Sequence, residues 1–130
     1  MKQKIEPQLR LDQRHGTCQV VARFLNSKSS QVLAVYDAYT QETIKLNDQR
    51  YALVKEYAVN YTAMTDDLAS KYIRRWIGVD EAASTLRLQW IPKFEGILGE
   101  KKAAMFFQID RRIGLMQELQ LASQLPLIQQ

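Results

Sequence analysis

The chain has 130 residues, 46% hydrophobic and 25% charged, with a formal net charge of +4. That length suits one domain able to bury a core without disulfide or metal, and the composition argues against wholesale disorder. Cys18 is the only cysteine, so no intramolecular disulfide forms, and no run approaches the roughly 18 apolar residues of a membrane span.

Residues 1–13 are polar, carry Pro7 and offer only Ile5, Leu9 and Leu11 as anchors; they read as a flexible N-terminal arm. Residues 14–130 form a single helical domain. No apolar stretch follows Met1-Lys2-Gln3-Lys4, so no signal peptide is visible, which leaves compartment open. After Gly16 a short helix is expected over 17–25, with Val20, Val21, Phe24 and Leu25 inward. Asn26 to Ser30 then supplies turn and N-cap residues.

The next segment, about 30–61, contains no Gly and no Pro. Tyr36, Tyr39, Thr43, Leu46, Arg50, Leu53 and Tyr57 step by three and four, which predicts one long helix of roughly 45 Å. Arg50 is the odd member of that seam, and it must pair with an acid or reach the edge. Asn60 to Thr65 ends the helix, and Thr65-Asp66-Asp67 is a good N-terminus for the next: a capping hydroxyl followed by acids that complement the dipole. The seam resumes with Leu68, Tyr72, Trp76, Val79, Ala83, Leu86 and Trp90. Pro92 is expected to kink or end this helix near Trp90, and Gly96 with Gly99 to make a turn.

A last helix is expected over 100–124, with Ala103, Phe106, Phe107, Ile109, Ile113, Met116 and Leu119 giving a broad apolar face. Leu125-Pro126-Leu127-Ile128 follows as an extended tail that should pack back, because exposed terminal aliphatics are a liability. No strand-like alternation is present. The class is all-α: an elongated antiparallel bundle of helical hairpins, about four helices with one long, and a short extended C-terminal tail.

The chemistry-bearing residues are sparse. His15 is the sole histidine, and His15 with Cys18 lacks a second ligand pair, so no metal site is expected. No Glu-x-x-His pair, phosphate loop, dinucleotide fingerprint or nucleophile elbow occurs. No cofactor and no enzymatic activity are expected. Two basic clusters, Arg74-Arg75 and Arg111-Arg112, read first as solvated faces and interhelical ion pairs. The alternative is an anionic-surface or weak nucleic-acid contact, which the interspersed acids disfavour. Most aromatics belong to helix seams, yet Tyr and Trp also grip apolar partners while half wet. Tyr51, Tyr57, Trp76 and Trp90 are the candidate partner-binding residues.

Several blocks carry a family resemblance: Leu46-Asn47-Asp48-Gln49-Arg50, Leu53 to Tyr61, Met64-Thr65-Asp66, Pro92-Lys93-Phe94, Lys101 to Asp110, and Leu119 to Leu127. Together they resemble a family of small exported bacterial helical proteins of uncharacterised function, over roughly 26–128. More distantly the chain is similar to the Spy/CpxP periplasmic group, which carries Leu-Thr-x-x-Gln motifs at helix starts. The corresponding places are Ser27 to Gln31 and Met64 to Leu68, with Asn26-Ser27 standing for Leu-Thr at the first and Leu68 for Gln at the second. The resemblance implies an exported, periplasmic, non-enzymatic helical protein. The leading expectation is a polypeptide-interaction module, chaperone-like or an envelope-stress accessory, whose partner is a polypeptide or envelope protein. The alternatives are a structural homodimerisation module and the weak anionic-surface binder.

Overall fold

The computed structural model describes residues 29–129, and these are all-helical, with three α-helices and no strand. Helix α1 spans Ser29–Asn60, α2 spans Asp66–Leu98 and α3 spans Glu100–Ser123. The arm expected over 1–13, the short helix expected over 17–25, His15 and Cys18 lie outside the described residues.

Side-chain pairs set the topology. As positions in α1 rise from Tyr39 through Arg50 to Tyr57, their α2 partners fall from Trp90 through Asp80 to Tyr72. Helices α1 and α2 are therefore antiparallel. Helix α3 folds back along α2, with Phe106 stacked on Phe94 near the corner. Against α1 its positions rise together: Phe106 meets Tyr36, Asp110 meets Tyr39, and Glu118 meets Arg50. Helix α3 thus runs parallel to α1 and reaches it through long side chains.

The centre of packing is Tyr36, Tyr39, Phe94, Ala103 and Phe106. Phe94 and Phe106 are fully buried and stack with centroids 4.3 Å apart. Tyr39 presents its edges to four rings, those of Trp90, Phe94, Phe106 and Phe107, at 5.7 to 6.2 Å. Edge-on contacts of this kind suit the ring quadrupole. The hydroxyl of Tyr39 escapes the apolar cluster by donating to Asp110 Oδ2 at 2.9 Å. Burial, and then the neighbouring Asp110 charge, push this phenol far above its ordinary value.

Arg50 explains itself in three dimensions. Its guanidinium donates to Asp80 Oδ1 of α2 at 2.7 Å, lies 3.7 Å from Glu118 of α3, and leans on Asn47 one turn earlier. A single cation on the seam of α1 ties all three helices.

Three local expectations are revised. Helix α2 neither ends nor breaks at Pro92 but continues to Leu98. Pro92 and Leu88, the residue whose carbonyl would have taken the missing amide, are both exposed, so the lost bond falls on the solvent side of the helix. Gly96 lies inside the helix, and the whole connection to α3 is Gly99, at φ 81° and ψ 162°. That backbone region is open essentially to glycine alone. Finally, Met116 and Leu119 do not join the core of α3 but stand 68% and 71% exposed. The N-terminus of α2 is as the sequence reads: Thr65 Oγ1 accepts the Leu68 N–H at 3.2 Å, with Asp66 and Asp67 in the first turn.

Candidate functional site

The most distinctive surface lies where α1 ends and α2 begins. Tyr61 follows the end of α1, its N–H bonded to the Tyr57 carbonyl one turn back at 2.9 Å, and Tyr72 and Trp76 are one turn apart on α2, so each pair shares a face. The antiparallel register brings the pairs together. Tyr72 stacks on Tyr57 at 5.0 Å, Tyr61 follows at 5.9 Å and Trp76 at 6.0 Å. Four rings form a continuous aromatic ladder across two helices. Arg75 and Glu56 close one side with a 2.9 Å interhelical ion pair.

The ladder also carries polar groups with direction. Tyr57 is buried, yet its hydroxyl donates to the main-chain carbonyl of Pro126. The Tyr61 carbonyl, one of the acceptors left over where α1 stops, takes the Gln129 N–H at 3.4 Å. Burial raises the Tyr57 and Tyr72 phenols above their ordinary value. Tyr61 adds to the effect at Tyr57, and Tyr57 and Glu56 add to it at Tyr72. Both hydroxyls therefore remain protonated donors throughout the physiological range.

Segment 125–129 touches this end of the molecule through two main-chain groups, with Leu125 half-buried. Leu127 is 88% exposed and Ile128 is exposed as well, contrary to the burial expected of the tail aliphatics. The docking is real but uses carbonyl and amide groups. Val59, Ile73, Ile77, Leu115, Met116 and Leu119 are exposed as well. Among the described residues the large exposed aliphatics, Leu88 aside, lie on the parts of the helices that meet at this end.

The four candidate partner-binding residues fall into separate places. Tyr57 and Trp76 belong to the ladder, linked through Tyr72. Tyr51 is half-buried with the Lys55 ammonium 4.6 Å from its ring centroid. Trp90 sits against the Tyr39 core, with Lys93 at 3.9 Å over its ring. Tyr61 and Tyr72 were missing from the sequence-derived set. Their signal was the spacing of four, Tyr57 to Tyr61 and Tyr72 to Trp76, on helices already expected to be antiparallel.

The basic candidates do not form one patch. Arg75 pairs with Glu56, Arg111 with Glu118 at 3.5 Å, and Arg74 donates to Ser70 Oγ; Arg112 is exposed. A shallow depression between α1 and α2 is lined by Lys45 with Glu42 and Glu81 among neutral residues, so it concentrates no single charge. Among the described residues no group of His, Cys, Asp and Glu is placed to hold a metal ion, and no helix is long and apolar enough to cross a membrane. No known protein family, curated protein or solved structure matches the chain.

Proposed function

We propose that the protein is a non-enzymatic polypeptide-binding module, chaperone-like in action, and that the Tyr57–Tyr61–Tyr72–Trp76 ladder is where it grips its partner. The observation that carries this reading is the meeting of a four-ring aromatic ladder, half-exposed at Tyr61, Tyr72 and Trp76, with a side-chain donor and a main-chain acceptor at the end richest in exposed aliphatics. Flat rings offer contact area without demanding one side-chain shape, and a hydroxyl aimed at a carbonyl serves any sequence. The scaffold of this reading is the elongated bundle of about four helices with an extended tail. A periplasmic location rests on the resemblance to exported helical proteins.

Suppression of aggregation of several chemically unfolded proteins tests the proposal. Near-stoichiometric protein is expected to delay light scattering, and the Tyr72→Ala, Trp76→Ala double variant to lose most of that effect with its helicity kept. Wild-type protein without effect on any client would sink it.

A second reading, a homodimerisation module, is favoured by the stripe of Leu115, Met116 and Leu119 on α3, which stands exposed among the described residues. Sedimentation discriminates the two. A tight dimer abolished by Met116→Lys with Leu119→Lys supports this reading, and a monomer at tens of micromolar removes it.

A further inference from the structure

We infer that residues 125–129 are a tethered occupant of the polypeptide site, held as an extended apolar client segment would be held. This rests on the polypeptide-binding reading and adds what the site recognises: the main chain of an extended segment, through an acceptor and a donor three residues apart.

The two anchors are the Pro126 carbonyl on Tyr57 Oη and the Gln129 N–H on the Tyr61 carbonyl. One protein group is the Tyr57 side-chain hydroxyl in the last turn of α1, and the other is the Tyr61 main-chain carbonyl just beyond that helix. Between the anchors, Leu127 projects into solvent at 88% exposed, and Ile128 is partly covered at 41%. A segment docked for its own stability would bury Leu127 as well. One docked on its backbone leaves the choice of side chain open, which is what a sequence-tolerant site requires. Proline at 126 costs nothing here, because only its carbonyl is used, and it biases the segment towards the extended form.

A short tether presents its segment at an effective concentration of roughly millimolar order. Even a weak internal contact then holds back a free ligand, and releasing it raises apparent affinity by the reciprocal of the fraction of sites that stood open.

The experiment compares the full chain with a chain ending at Gln124. Fluorescence anisotropy follows a labelled peptide of sequence Ser-Gln-Leu-Pro-Leu-Ile-Gln-Gln and a labelled unfolded protein. The shortened chain is expected to bind both about tenfold more tightly than the full chain, with each ligand displacing the other. Because shortening also removes a cap from α1, Gln129→Pro in the full chain is a second variant. It removes the N–H given to Tyr61 while leaving the rest of the segment in place, and is expected to tighten peptide binding about twofold to fivefold. Equal binding of the unfolded protein by all three forms would overturn the tethered-occupant inference and leave the polypeptide reading standing. Binding of the tail peptide by the shortened chain, with no binding of unfolded protein by any form, would overturn both, since the segment would then be a structural cap.

Discussion

At the scale of single residues, two side chains connect the three helices. Arg50 is 13% exposed, whereas its partners Asp80 and Glu118 are 46% and 39% exposed. The acids remain hydrated if the arginine is lost, so Arg50→Ala is expected to cost about 1–2 kcal/mol rather than the larger penalty of a broken buried pair. Arg50→Met, which keeps the packed stem, should cost less. Urea unfolding measures both, and equal losses would assign the role to charge alone. Tyr39 makes the second connection. Its folded phenol holds its proton more tightly than the unfolded one, so its contribution is complete below about pH 10 and is lost as pH rises beyond that value. Tyr57 and Tyr72 shift the same way. Tyr39→Phe is therefore expected to lower stability by about 1 kcal/mol at pH 7 through the lost hydrogen bond, and to shallow the alkaline decline without abolishing it. Thermal melts between pH 7 and 11 read both effects, and an unchanged alkaline slope would contradict the assignment.

At the scale of elements, the connection between α2 and α3 is the sharpest case. A Cβ at Gly99 would meet nothing within 4 Å, so any penalty there is one of backbone conformation and not of crowding. Gly99→Ala is expected to lose about 1–3 kcal/mol. Gly96→Ala, equally open but inside the helix, should gain roughly 0.5–1 kcal/mol. Opposite signs in denaturant midpoints are the expected result, and a loss at both would show a tight approach at residue 96. These two glycines also mark what the sequence could tell. Composition and three-four spacing made the all-helical class legible, along with the cap at Thr65 and the buried positions Tyr36, Tyr39, Leu53 and Tyr57. Spacing is silent on which of two glycines carries the positive φ, and on which side of a helix a proline falls. It pointed to a kink or an end at Pro92 because the rule concerns the missing donor, not whether that side of the helix faces solvent. The ladder was half legible: Tyr57 and Trp76 stood out as residues, but their link through Tyr72 needed the register between helices. The main-chain contacts of Pro126 and Gln129 leave no mark on side-chain pattern at all.

At the scale of the whole molecule, packing is uneven along its length. The two fully buried rings, Phe94 and Phe106, lie close to the Gly99 corner, whereas exposed aliphatics gather where α1 gives way to α2. Amide exchange should follow that gradient. The slowest amides are expected in α1 around 36–43, α2 around 86–94 and α3 around 103–110, with α2 before 74 and α3 after 117 exchanging at least tenfold faster. Uniform protection along α2 and α3 would contradict it. A loosely covered end beside a rigid one is also what a partner-gripping surface needs, since it must yield while its scaffold holds.

The single-residue corner has one more consequence. Helices α2 and α3, with Gly99 between them, make 58 consecutive residues, 33 and 24 flanking one glycine. Were that glycine to take ordinary helical angles, the same stretch would run straight as one rod of about 87 Å. The Gly99 N–H already bonds back to the Glu95 carbonyl and the Ala103 N–H to the Gly99 carbonyl, as they would in such a rod. Folding back and running on therefore differ by the two torsions of one residue, and the Tyr39, Phe94 and Phe106 rings decide between them.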